Sequence, residues 1–392
     1  MKILIIYLFS TFGLIPFATA MTDVDAQNKP LHELYKDDFL IGNIIAGGLH
    51  PEDPPFREDA GELEILAREF NCLTSENNMK TMFVQPKEGV FDFKGPDAAI
   101  DFAEANGMDY VGHALVWHAM VPDWIFKHKD GTEVNREVLI ERMRTHINTV
   151  VGRYKGRIKY WDVVNEAIDT KWMKDPETGK KEQVAFLRDT PWLRIIGKDY
   201  IELAYRMTHE ADPDALLLYN DYSMFDEPKA RFAAGLVLHL KSKGIPMHGV
   251  GFQGHWHLKY PKLEDVQRSI DLMAGIGVKV SISELDVGIL PLLDDYQGAD
   301  VDKKIELNPA LNPYVDGVPE RVLKQQARRY REIFELFLRN SDAIERVSFW
   351  GTLDQYSWIN DWPVKGRTAA PLLFGRDYQA KPAYHALREL KQ

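Results

Sequence analysis

Short apolar runs alternate with longer helical patterns along almost the whole chain, and this alternation restricts the fold more than any other feature. The strand-like runs are "FLIGNII" (39–45), "NCLT" (71–74), "YVGHALVW" (110–117), "YWDVV" (160–164), "ALLLYN" (215–220), "GVGFQ" (249–253), "VKVSIS" (278–283) and "RVSFW" (346–350). Between them, "DAGELEILAREF" puts Leu63, Leu66 and Phe70 on one helical face, and "PDAAIDFAEANG" opens on Pro96 and Asp97 and stops at Gly107. The spacing predicts further helices over 136–154, 192–211, 227–244, 262–277, 321–340 and 382–390. Eight strand–helix units imply a parallel sheet, and eight that close on themselves make an α/β (β/α)8 TIM barrel. A doubly wound open sheet is the structural rival, but its G-x-G-x-x-G first turn is missing. Two segments, 167–192 and 288–318, exceed a tight βα loop. Both follow strand C-termini, the end where such barrels carry function.

Composition fits one large core. The chain has 392 residues, 45% hydrophobic and 27% charged, with nine Trp. A formal net charge of -11 argues against a nucleic-acid partner. The single cysteine, Cys72, allows no internal disulfide and no multi-cysteine metal site, and its apolar flanks read as a buried, inert thiol. The first stretch, "MKILIIYLFSTFGLIPFATA", has a basic start, an apolar run and an Ala18-Thr19-Ala20 cleavage pattern. It is expected to be a secretory signal (1–20), with an uncleaved anchor as the competing reading, leaving a single catalytic domain over 21–392. The mature protein is expected to be exported, secreted or periplasmic, without stable membrane association, and to act as a monomer.

The polar residues gather where the barrel would carry its site. Strand two ends in Glu76, Asn77 and Lys80, and strand three in His113, Trp117 and His118. Strand four ends in Asn165 and Glu166, strand five in Asn220 and Tyr222, strand six in Gln253 and His255. Strand seven brings Glu284 and Asp286, and strand eight Trp350 and Trp358. Any one of these has an ordinary explanation as a helix cap, a core histidine, a packed ring or a solvated acid. Seven of eight strands ending this way is different, because a barrel end built only for stability would not collect so many desolvation costs.

Glu166 and Glu284, three strands apart, would face each other across the axis. Paired carboxylates around a slot are the equipment of glycoside hydrolysis, where one starts protonated and the other ionised. His255 could hold Glu284 ionised through a charge-assisted hydrogen bond, with Asp286 fixing the imidazole. Asn165 could bond a sugar 2-hydroxyl, and the Trp faces suit the apolar faces of pyranose rings.

The stretches "TSENNMK", "GHALVWHAMVPDW", "WDVVNEAI", "LLYNDY", "GVGFQGHWH", "VSISELDV" and "FWGTLDQYSW" occur in this order between about residues 35 and 390. In them the chain resembles the endo-1,4-β-xylanases of glycoside hydrolase family 10. The resemblance implies a TIM barrel, net retention of anomeric configuration, no cofactor and no metal, with xylan and xylo-oligosaccharides as substrates. It implies Glu166 as acid/base and Glu284 as nucleophile. Glu76, Asn77, Lys80, His113 and Trp117 would hold the sugar on the non-reducing side of the cleaved bond. Asn165, Gln253 and His255 would stand at the catalytic centre, Trp350 and Trp358 would cover the sugars, and Tyr222 is counted with the candidate substrate contacts.

Three rivals stay in view. A metal hydrolase could draw on His113, His118, His255 and His257, although barrel metal sites usually begin with H-x-H on the first strand. A non-catalytic sugar-binding barrel would have no need of a buried acid pair. Retaining barrels that act on cellulose, mannan or galactan share the two-Glu core, and only the flanking motifs choose xylan.

Overall fold

The computed structural model describes residues 29–47, 52–174, 177, 179–291 and 305–392. The expected signal segment lies outside the described residues, as does part of the 288–318 segment. Eight strands form the barrel: β1 (Leu40–Ile45), β2 (Cys72–Ser75), β3 (Asp109–Val116), β4 (Tyr160–Asn165), β5 (Leu216–Asp221), β6 (Met247–Phe252), β7 (Lys279–Gly288) and β8 (Ile344–Phe349). Neighbours pair in parallel, and the barrel closes where β1 meets β8 in the register Leu40↔Arg346 and Ile41↔Val347. Outside it run α1 (Ala60–Glu69), α2 (Lys94–Ala105), α3 (Arg136–Arg153), α4 (Tyr200–Ala211), α5 (Glu227–Ser242), α6 (Leu263–Gly275), α7 (Glu320–Arg339) and α8 (Pro382–Glu389).

Local chemistry sets several boundaries. Asp59 caps α1 by accepting from the Gly61 and Glu62 N–H groups, and Asn135 caps α3 by accepting from Val138 N–H. α2 begins at Lys94, two residues before Pro96, and Gly107 just beyond its end takes φ +68°. The single helix expected over 192–211 is two. Gly197, at φ +99°, ends a short helix at Pro191–Ile196, and α4 begins at Tyr200. A φ in that region is open to glycine and costly to other residues, so one Gly inside a helical pattern was enough to break it.

The 167–192 segment is not irregular loop. Ile168–Lys174 and Lys181–Leu187 pair as an antiparallel hairpin, in register from Ile168↔Leu187 to Lys174↔Lys181. It follows Glu166 directly and lies against α5.

Aromatic and aliphatic side chains fill the core on both sides of the strands. Cys72, Val111, Tyr160 and Leu218 form one buried cluster, where burial pushes the Cys72 thiol up to about 11 and keeps it unreactive at neutral pH. Gly112 gives room to Trp161 of the next strand, since a Cβ there would lie 2.2 Å from the indole ring. No described helix is long and apolar enough to cross a membrane.

Candidate active site

Five barrel strands deliver a polar or aromatic residue by a backbone hydrogen bond to the strand beside them. Glu76 N–H donates to Ile45 O (3.0 Å), Glu166 N–H to Asn220 O (2.9 Å), Gln253 N–H to Asp221 O (3.1 Å), Glu284 N–H to Gln253 O (2.7 Å) and Trp350 N–H to Leu285 O (3.0 Å). The parallel ladder thus continues just past the strand ends and fixes the root of each side chain. Glu166 leaves β4 at φ +57°, a conformation that costs a non-glycine residue roughly 1–2 kcal/mol and must be held by its surroundings.

Glu166 and Glu284 line the same open cleft, of about 630 Å³. Both are buried, at 5% exposure, so their partners decide their chemistry. Glu284 Oε1 accepts from Asn220 Nδ2 (2.8 Å), and its Oε2 faces His255 Nε2 (3.1 Å). The other ring nitrogen of His255 lies 2.9 Å from Asp286 Oδ2, which also accepts from the Trp358 indole N–H at 2.8 Å. Burial alone would lower the His255 pKa, but Asp286 and Glu284 raise it to about 10, so at neutral pH the ring is an imidazolium donating to both carboxylates. Burial alone would likewise raise the Glu284 pKa. The hydrogen bond from His255, the charge of His113 and the Asn220 amide outweigh burial and hold this carboxyl below the usual glutamate range.

Glu166 has different company. Its Oε1 accepts from Gln253 Nε2 at 2.9 Å and lies 3.3 Å from Asn165 Nδ2. Asn165 Oδ1 in turn accepts from Asn220 Nδ2 at 3.0 Å. Turning the Asn165 amide over would let its nitrogen donate to the Asn220 backbone carbonyl (3.1 Å), where its oxygen otherwise meets another acceptor, and let its oxygen accept from Trp117 Nε1 (3.3 Å), while setting NH2 beside Asn220 Nδ2 (3.0 Å). Two carboxyl groups in one cleft, one beside a cation and the other beside neutral amides, are equipped for opposite proton tasks.

Glu76, Asn77, Lys80, His113, Trp117, Trp350 and Trp358 line the same cleft. Lys80 Nζ donates to Asn77 Oδ1 (2.9 Å) and lies 4.8 Å from the Trp117 ring centroid. Burial pulls the Lys80 pKa down, against the pull of Glu284, Glu76 and Glu166. Burial raises that of Glu76, opposed by Lys80 and Arg57. His113 Nδ1 meets Asp162 Oδ2 at 2.9 Å, and Trp350 packs its edge against both His113 and His255. Trp358 stacks on Trp362 with centroids 4.5 Å apart. An apolar cavity of about 650 Å³ lies beyond Trp358, but neither Glu166 nor Glu284 lines it.

A profile of glycosyl hydrolase family 10 matches residues 30–390. The chain belongs to glycosyl hydrolase family 10. It is similar to endo-1,4-beta-xylanase A of Xylanibacter ruminicola, 40% identical over 93% of this chain and 94% of that one. It is also similar to an endo-1,4-beta-xylanase of Geobacillus stearothermophilus, 38% identical over 90% of this chain and 96% of that one. Among solved structures, a GH10 endoxylanase retrieved from a sugarcane soil metagenome superposes with a TM-score of 0.83 at 39% identity, covering 92% of this chain and 99% of that one. As a family 10 member the protein is a glycoside hydrolase with a (β/α)8 barrel.

Tyr222 is the sequence candidate that the fold does not bring to the cleft of this family 10 barrel. Its hydroxyl accepts from Arg188 Nη2 at 2.5 Å, and its ring lies over Lys229 Nζ, 3.7 Å from the centroid. Asp286 also stands behind the cleft wall, acting through His255. The H-x-H pair is divided: His257 Nε2 bonds to Leu290 O (2.8 Å) while His255 faces the two carboxylates. Among the described residues no group of three or more His, Cys, Asp or Glu is arranged to hold a metal ion.

Sequence reasoning missed Asn220 as a holder of Glu284, Asp162 behind His113, Trp362 behind Trp358, and Met120 on the cleft wall. Asn220 stood at a strand end with the other candidates, so a signal existed, but its partners lie on other strands. The close approach of Gly251 explains how Asn220 fits. A Cβ at Gly251 would lie 2.1 Å from Asn220 Oδ1, and Asn220 is held by Glu284, Asn165 and Ser283 Oγ (2.6 Å). Gly251→Ala is therefore expected to cost about 1–3 kcal/mol of stability. It should also lower kcat about tenfold or more, because displacing Asn220 misplaces Glu284. Thermal melts and steady-state kinetics on the variant check both effects, and an unchanged kcat would show that Asn220 does not set the position of Glu284.

Proposed function

We propose that this family 10 glycoside hydrolase is an exported endo-1,4-β-xylanase that cleaves internal bonds of xylan by double displacement with retention. The observation that carries the mechanism is the contrast between the two glutamates. Glu284 is held anionic between Asn220 and the His255–Asp286 pair, and Glu166 lies among neutral amides in the same cleft. Glu284 attacks the anomeric carbon while Glu166 gives its proton to the departing glycosidic oxygen. A glycosyl–enzyme ester forms, and Glu166, now a base, takes a proton from the water that hydrolyses it. The endo-1,4-beta-xylanase names of its relatives support xylan as the substrate. The first twenty residues support export.

Xylose lacks the C6 hydroxymethyl group of glucose, so a wall close to C5 admits xylan and obstructs cellulose. Trp358 suits that wall because its ring is pinned, stacked on Trp362 and tied to Asp286 through its N–H. A group of this size is worth only about 1–3 kcal/mol in a pocket, so aryl cellobiosides should be cleaved weakly rather than refused. The test is product analysis on xylan, carboxymethyl-cellulose and short xylo-oligosaccharides, with proton NMR of the first anomer released. Xylan should fall quickly to oligosaccharides that appear first as β-anomers. Equal rates on cellulose would remove the xylan reading, and an initial α-anomer would remove retention.

A further inference from the structure

We propose that Arg188 and Tyr222 form a clamp that aims the Glu166 carboxyl group, so that Tyr222 serves the reaction from behind the site. This rests on the reading of Glu166 as the acid/base.

Glu166 lies one residue beyond the end of β4 and holds a left-handed backbone conformation. The barrel ladder secures its N–H, which donates to Asn220 O, but cannot secure its carbonyl. Arg188 does so: its Nε donates to Glu166 O at 3.0 Å, and its own backbone N–H donates to Ala167 O at 2.8 Å. One residue thus grips two successive carbonyls at the point where the chain turns. The far end of the same guanidinium donates to the Tyr222 hydroxyl at 2.5 Å, whereas the ion pair with Asp169 is longer, at 3.7 Å.

Tyr222 is itself rooted. Its N–H donates to Asp221 Oδ1 at 2.9 Å, and its ring covers Lys229 Nζ. Lys229 and Asp221 form an ion pair of 2.7 Å at 2% and 0% side-chain exposure. A pair so deeply buried is tolerated only when its geometry is satisfied, which makes it a rigid anchor. Asp221 Oδ2 also accepts from Ile168 N–H at 3.3 Å. The peptide groups after Glu166 are therefore fixed from both sides. Neither Arg188 nor Tyr222 lines the cleft, so neither is placed to touch the sugar. They are positioning residues.

A clamp of this kind matters only to the step that uses Glu166. Proton delivery depends on where the carboxyl lies, and a displacement of about 1 Å can cost about a hundredfold. Attack by Glu284, carried on β7, does not depend on it. A residue that merely held the hairpin would affect all substrates alike.

The experiment compares Arg188→Met and Tyr222→Phe on phenyl and 2,4-dinitrophenyl β-xylobiosides. On the phenyl substrate, whose leaving group needs a proton, kcat/KM should fall about tenfold or more for Arg188→Met, and less for Tyr222→Phe. On the dinitrophenyl substrate the formation of the glycosyl–enzyme, followed as the pre-steady-state burst, should stay within about threefold of the parent. Tyr222→Phe keeps the test open if Arg188→Met fails to fold. Glu166→Ala, run alongside, separates the two claims. Leaving-group dependence there, with equal losses or none in the Arg188 and Tyr222 variants, overturns the clamp alone. Equal losses in Glu166→Ala overturn the acid/base reading on which the clamp rests.

Discussion

Glu284→Ala is expected to reduce kcat on xylan by roughly 10⁵-fold or more, the scale on which enzymes lose a covalent nucleophile. The loss should be confined to chemistry, because Lys80, Asn77 and Trp117, which line the same cleft, are left in place. Azide fits the space vacated by the carboxylate and can attack the anomeric carbon of an aryl xylobioside directly. That single displacement should restore part of the turnover and give the α-xylobiosyl azide, with configuration inverted. The parent enzyme should show the corresponding pH signature. Glu284 must be ionised to attack, and His255 and Asn220 hold its pKa below the ordinary value, so the acid limb of kcat/KM should lie below the usual glutamate range. His255, raised to about 10, keeps its charge through neutral pH and so adds no break there. Covalent labelling by a slow 2-fluoro xylobioside at a residue other than Glu284 would end this assignment.

How far such a site can be read in advance depends on whether a residue's partners lie within its own strand. Glu284, Asp286 and His255 were legible because strand alternation puts Glu284 and Asp286 on one face, and the sixth and seventh strands are adjacent in any eight-strand closure. Tyr222 shows where the same rule ends. Asn220 and Tyr222 both stand at the end of the fifth strand, and Tyr222 was expected among the substrate contacts. β5 stops at Asp221, however, and the chain turns at once, with Ser223 at φ +53°. The period-2 rule does not outlive the strand ladder, and the tyrosine turns toward Lys229. The hairpin after Glu166 was hidden for another reason. Its strands, "IDTKWMK" and "KEQVAFL", mix polar and apolar residues without a strong run, and it is recognisable by the pairing of two segments rather than by either one. Gly197 was visible as a residue, but whether a lone glycine bends, breaks or is absorbed by a helix is decided by the packing of the two halves.

In the proposed mechanism the counterpart of Glu284 is Glu166, and Glu166→Ala should fail in a different pattern. Without a proton donor, bonds to poor leaving groups such as a xylose hydroxyl or phenol should break about 10²–10⁴-fold more slowly. Bonds to 2,4-dinitrophenol, whose anion departs unaided, should break at nearly the parent rate, so the enzyme accumulates as its glycosyl ester. Hydrolysis of that ester then becomes slow, because the incoming water has lost its base. Azide needs no base, and it should speed this second step and yield the β-xylobiosyl azide. The retained configuration distinguishes this variant from Glu284→Ala, where the same anion gives the α-product. The two glutamates are thereby separated by stereochemistry as well as by rate, and by a single reagent. The difference follows from their surroundings. Gln253 and Asn165 offer Glu166 only neutral hydrogen bonds that serve a carboxyl group in either protonation state, whereas the His255 cation commits Glu284 to the anion. A plot of log kcat/KM against leaving-group pKa should steepen in Glu166→Ala relative to the parent. An unchanged slope, with both substrate classes slowed equally, would mean that Glu166 supports the site without transferring the proton.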